Sequence, residues 1–258
     1  MSSPSQTETD EDIDYPDDNG ERMAENTLQF QWIVTLHGNL DVLYSADPNV
    51  IVAGDLLWYP VLGDPTLSAA PDTMVVFGRP KGYRGSYMQW REDGIAPQVV
   101  FEILSPSNRP EEMEKKFEFY TRYKVEEYYI VDPYDGQFYG WLRQKRKLVA
   151  IEKMDGWISP RLGIRFEMSD EELVIYRPDG QRFLSFVEIM QSKEASDLRA
   201  EQARQQVEAA QREVESAQRE VESAQRDAEQ AVIEKEQALL EAKRLADKLR
   251  SLGIDPEK

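Results

Sequence analysis

The last sixty residues carry a seven-residue repeat that leaves little freedom in what they become. Counting Ala200 as position a, the a series runs Ala200, Val207, Val214, Val221, Ala228, Lys235, Ala242 and Leu249. The d series runs Ala203, Ala210, Ala217, Ala224, Ala231, Ala238, Leu245 and Leu252. An apolar seam every 3.5 residues, interrupted only by Lys235, predicts a coiled-coil helix over 191–253, with 254–258 as a short tail. A helix of about fifty residues has a length on the order of 80 Å. Glu208–Arg212, Glu215–Arg219 and Glu222–Arg226 stand at i,i+4 in the favourable order, each stabilising the single helix by a few tenths of a kcal/mol. Alanine at d buries little, so the Ala/Val half is expected to associate weakly and the Leu-rich end more firmly. Homo-oligomerisation through this helix is the expectation, and a solvated single helix is the alternative.

No aromatic residue follows Phe186, whereas all five Trp lie between Trp32 and Trp157. The globular part is therefore expected over 27–190, as one sizeable domain. Residues 1–26 are polar, acidic and broken by Pro and Gly, the composition of a disordered tail. The net charge of −18 is unevenly spread, with nine acids and one base in residues 1–25. It does not settle the partner: the basic run Arg143–Lys147 suits phosphate contact or a merely solvated hairpin. The absence of Cys excludes disulfides and thiolate metal sites. No apolar stretch reaches membrane-spanning length and no signal peptide is visible, so a cytoplasmic protein without membrane contact is expected.

Along the globular part, Leu28, Trp32, Leu36, Leu40 and Leu43 recur at helical spacing, with an interruption or end expected near Gly38-Asn39. Strands are expected over 50–60, 72–77, 99–104 and 126–133, and a helix over 111–123 behind Pro110. A hairpin across the basic run and a late strand at "ELVIYRPDG" complete the pattern, with 78–97 as a loop. Helix, strands, helix, strands predicts an α/β or α+β domain on a mixed sheet flanked by helices.

Three acids fall on neighbouring predicted strands: Asp55 in "VAGDLLWY", Asp72 opening "PDTMVVF", and Glu102 in "VVFEIL". Strand alternation points Val99, Phe101 and Ile103 one way, and Val100, Glu102 and Leu104 the other. Glu102 thus shares a face with apolar residues and needs a proton, a partner or a cation. Asp72 and Glu102 side by side would suit a hard divalent cation, Mg2+ or Mn2+. An Asp after Pro is equally a turn residue, and a strand Glu equally the partner of a base. His37 is the only His, which leaves little room for His-based catalysis or zinc. Ser105 and Ser107 read as capping the helix entry. Tyr83, Tyr87 and Trp90, among Arg79, Lys81, Arg84 and Arg91, suit either base stacking or a lid packed on the sheet.

The order "APDTMVVF", "PQVVFEILSPSNR", "EMEKKFEFYTRYKVEEYYIVDP" resembles the Uma-type (Uma-two) family, grouped with restriction endonucleases in the PD-(D/E)XK nuclease superfamily. The resemblance covers roughly 27–185 and is most specific from Pro97 to Pro133. It implies a restriction-endonuclease-like fold, DNA as substrate, and an Asp, a Glu and a Lys around Mg2+. Asp72 matches the family's Asp and Glu102 its strand Glu. The superfamily's Lys two residues later is absent, since Leu104 stands there. Lys116, four residues before Tyr120, matches the Lys that Uma-like sequences place on the following helix. Asp55 lies near a further strand acid of the family. A metal-dependent endonuclease is therefore the expected function, with a catalytically silent fold serving as a coiled-coil scaffold as the alternative.

Overall fold

In the computed structural model, residues 13–18, 20, 23–168 and 173–251 are described. Two compact units divide the chain, Met1–Met190 and Gln191–Lys258. Most of the expected acidic tail, Leu252 of the seam and the tail 254–258 lie outside the described residues.

In the first unit, helix α1 (Thr27–Leu43) opens with the Asn26 side chain accepting from the amides of Leu28 and Gln29. It does not stop at Gly38. A mid-helix Gly costs about 1 kcal/mol, but Leu36 and Leu40 on either side are completely buried. Asn39 also ties the helix to Leu184, accepting its N–H and donating to its carbonyl.

Six strands form the main sheet in the order β1 (Val50–Ala53), β3 (Thr73–Phe77), β5 (Val99–Ile103), β6 (Glu127–Asp132), β7 (Gln137–Gln144), β8 (Lys147–Ala150). Only the β5–β6 pair is parallel, and the connection between these two strands contains α2 (Pro110–Arg122). A crossover of that length is what a parallel pair requires. The sheet is therefore mixed and covered on both faces. One face packs Ile33, Leu36 and Leu40 of α1 on Val75, Val99, Phe101, Ile103 and Tyr129, with Phe166 and Ile175 added from the hairpin β9 (Arg165–Met168) and β10 (Leu173–Tyr176). The other packs Tyr120 and Phe117 of α2 on Val100, Tyr128 and Ile130.

The stretch 50–60, expected as one strand, is two. β1 ends at Ala53, Asp55 takes a left-handed φ of 49°, and β2 (Trp58–Tyr59) joins β4 (Tyr87–Met88) in a separate small parallel sheet. The expected loop 78–97 thus contains β4 and a 3-10 turn at Gln89–Arg91. Its cations are engaged: Arg79 and Arg84 both bind Glu92, at 2.8 and 2.7 Å, and Lys81 binds Asp41. Burial would raise the Glu92 carboxyl, but the two guanidiniums outweigh it and hold it below its ordinary range. Tyr87 is buried and Trp90 packs on Tyr15, so of the loop's three aromatics only Tyr83 stands out in solvent. Tyr15 itself lies within the expected disordered tail, yet it is buried against Tyr59 and its hydroxyl accepts the Gly63 amide.

Within the basic run, Arg143 folds back onto α2. Its guanidinium donates to the carbonyls of Tyr120 and Thr121 in the last turn and of Val125 just beyond it, at 2.6–3.0 Å, engaging acceptors at the helix C-terminus. Arg143→Met is expected to cost about 1–3 kcal/mol, read as a lower denaturant midpoint. An unchanged midpoint would remove Arg143 from the account of how α2 ends.

The chain enters α3 (Phe186–Ser251) through a capping box. Ser185 Oγ accepts the Glu188 amide, and Glu188 Oε2 accepts the Ser185 amide at 2.8 Å. The second unit, from Gln191, is helical through Ser251. Among the described residues no helix is long and apolar enough to cross a membrane.

Candidate active site

Strand alternation turns Glu102 toward α2, on the face occupied by Val100, while Phe101 and Ile103 go to the α1 side. The antiparallel register pairs Thr73 with Phe101. One step further, Asp72 stands opposite Glu102, just before β3 begins. The Ile103 N–H, left without a backbone partner on that side, donates to Asp72 Oδ2 at 2.6 Å. The same peptide's neighbour, the Ile103 carbonyl, accepts the Gln29 amide of α1 at 3.0 Å.

Glu102 is 2% exposed, and both its oxygens are used. Lys116 Nζ lies 2.8 Å from Oε2 and the Tyr120 hydroxyl donates to Oε1 at 2.5 Å. The two donors are one helical turn apart, so α2 presents them together. Burial lowers the Lys116 ammonium, but the carboxylates of Glu102 and Asp72 outweigh it and hold the charge more firmly than in water. Burial, reinforced by the charge of Glu102, raises the Tyr120 phenol well above its ordinary value, so it stays a donor. Asp72 is pushed well above the usual carboxylate range, first by burial and then by Glu102, against the pull of Lys116 and the Ile103 amide.

Of these groups, Asp72 and Lys116 line a polar cleft of about 500 Å³, whose walls also include Glu25, Gln29, Asp55 and Glu112, while Glu102 and Tyr120 lie buried behind them. Asp55, expected on a strand, instead sits on the turn after β1, where its amide donates to the Pro71 carbonyl at 3.0 Å. It is near enough to add to the electrostatic pressure on Asp72. Asp55, Asp72, Glu102 and Lys116 thus come from a turn, a strand end, a strand centre and a helix. Among the described residues, no group of three or more His, Cys, Asp or Glu is arranged to hold an ion.

Ser105 and Ser107 do not cap α2, whose N-cap is Arg109 without a side-chain bond. Ser105 Oγ donates instead to Glu25 Oε2 at 2.5 Å, and the Ser105 amide to Asn108 Oδ1. Glu25 and Gln29 were not singled out in sequence. Neither lies in a motif, and their contacts span 80 and 74 residues.

The model of a family described as "Uma2: Putative restriction endonuclease" matches residues 5–169. A solved structure from Anabaena variabilis ATCC 29413, titled as a putative nuclease belonging to DUF820, is similar at 15% identity and a TM-score of 0.39. The likeness covers 52% of this chain and 72% of that one. No curated protein matches.

Proposed function

The chain belongs to the Uma2 family of putative restriction endonucleases, and from that premise we propose that it is a metal-dependent endonuclease that hydrolyses DNA phosphodiesters at the Asp72–Glu102–Lys116 centre. The observation that carries this reading is the convergence of Asp72 and Glu102, from adjacent strands, with a lysine 2.8 Å from one of them on a polar cleft. A purely structural pair would not need the second carboxylate opposite the first.

The donor set suits Mg2+ or Mn2+. It is oxygen-only, and such ions are commonly held by one or two carboxylates, with waters and substrate phosphates completing the shell. Asp72 and Glu102 are the proposed ligands, a pair rather than a group of three, with Asp55 at the cleft wall as the alternative partner of Asp72. A bound divalent ion supplies Lewis-acid stabilisation of phosphoryl charge and a more acidic water. Tyr120 fixes the Glu102 carboxylate in one rotamer. Lys116, kept charged by its neighbours, orients the attacking water or steadies the negative charge that builds on the scissile phosphate. Gln29 and the Ile103 peptide brace the strand end beneath them. The helix from Gln191 onward is proposed to pair the chain with another copy, bringing two centres to the two strands of a duplex.

Supercoiled plasmid incubated with the protein should be nicked or linearised in Mg2+ or Mn2+ and left intact with EDTA. Glu102→Gln, which keeps the side chain's size, should cut at least about 100-fold more slowly. If no DNA is cut with either metal, or if Glu102→Gln cuts as fast as the parent, the domain is a catalytically silent scaffold.

A further inference from the structure

The second unit leaves its seam open to solvent. Val207, Val214, Val221 and Leu245 are 56–57% exposed, although all stand at core positions of the heptad frame. The rows beside that seam differ sharply in charge. On one flank, position g is acidic from Glu213 through Glu220, Asp227 and Glu234 to Glu241, with Arg199 and Gln206 before that stretch and Lys248 after it. On the other, position e is Arg204 followed by the uncharged Gln211, Gln218, Gln225, Val232, Leu239 and Ala246. The cations Arg212 and Arg219 lie away from both rows, bound along their own helix to Glu208 and Glu215 at 3.6 and 3.5 Å.

We infer that this face binds a second copy of the chain as a parallel, in-register, two-stranded coiled coil. The inference deepens the pairing proposed above by fixing its direction and stoichiometry. In a parallel pair each g residue faces the e residue of the next heptad on the other copy. Glu213 then meets Gln218, Glu220 meets Gln225, and Asp227 meets Val232, and like charges are opposed only at the first pair, Arg199 with Arg204. An antiparallel pair centred on the repeat sets the g row against the other g row, acid against acid from Glu213 to Glu241. Such repulsion selects against that orientation. Val at three successive a positions is the β-branched choice that two strands prefer, with Ala rather than the usual Leu at d. Lys235, the one charged residue in the a series, in register lies beside Glu234 of the other copy. A polar residue at a single a position is a known means of fixing register.

The chain has no Cys, so single introduced thiols report cleanly. Val207→Cys and Leu245→Cys, made separately in the full-length protein, should each convert under mild oxidation to a covalent two-chain species. Arg219→Cys, at the outward f position, should remain single. In an antiparallel pair centred on the repeat, the two residues 207 would be on the order of 50 Å apart. Cross-linking only in a mixture of Val207→Cys with Leu245→Cys would overturn the orientation. A solution mass of three or more chains would overturn the stoichiometry. A single-chain mass for the unaltered protein would overturn the pairing itself. None of these readouts involves DNA or metal, so they stand whether or not the centre cuts.

Discussion

Lys116→Met is expected to abolish metal-dependent cutting and to cost about 3–5 kcal/mol of folding stability, two losses that a second substitution separates. The ammonium sits 2.8 Å from the Glu102 carboxylate, which is 2% exposed. Removing it leaves that charge buried with the Tyr120 hydroxyl as its remaining direct donor. Breaking such a pair from one side is far costlier than replacing both members. The double variant Lys116→Met, Glu102→Gln should therefore recover most of the denaturation midpoint, because Gln can still accept from Tyr120 and carries no charge. It should recover none of the cutting. A single variant as stable as the parent would mean that Glu102 finds another cation, and one that still cuts would take Lys116 out of the chemistry.

That the lysine beside Glu102 comes from α2 rather than β5 was readable from sequence only through the family resemblance. Leu104 closed the usual position, and the spacing of Lys116 to Tyr120 offered a substitute. The rest of the local geometry followed from periodicity. A period of two in 99–104 put Glu102 on the face of Val100 and Leu104, the face that α2 covers in the fold, and the apolar helical repeat gave α2 a face to pack. Elsewhere local pattern was overruled by contacts distant in sequence. Gly38 reads as a helix stop, but complete burial of Leu36 and Leu40 carries α1 across it. Gly54-Asp55 reads as the middle of a strand, yet Asp55 takes a positive φ and the chain leaves the sheet to build β2 beside β4. Composition marked the first 26 residues as solvated, which misses a single aromatic, Tyr15, with a pocket made by residues 57–90. Arg79 and Arg84 look available for phosphate until Glu92 is seen between them.

Asp72→Asn should reveal the cost of assembling such a centre. In the fold the Asp72 carboxyl is pushed well above its usual range, by burial and then by Glu102, whereas in the unfolded chain it titrates near about 3.9. A carboxyl raised in this way contributes its full stability below the unfolded value, and loses it as pH rises through the folded one. Asparagine keeps an oxygen for the Ile103 amide and cannot ionise. Without divalent metal, the variant should be at least as stable as the parent at neutral pH, and its advantage should shrink as the solution approaches pH 4. Cutting should fall by about 100-fold or more. Adding Mg2+ should reverse the ranking, since an ion that binds only the folded parent stabilises it by about 2.7 kcal/mol at 100 times its dissociation constant. Thermal midpoints at two pH values, each with and without Mg2+, supply the comparison. If Mg2+ raises both proteins equally, the ion sits elsewhere and Asp72 is not its ligand. If the parent is the more stable in metal-free buffer at neutral pH, the repulsion between Asp72 and Glu102 is already relieved within the chain, and the reason for a cation between them falls away.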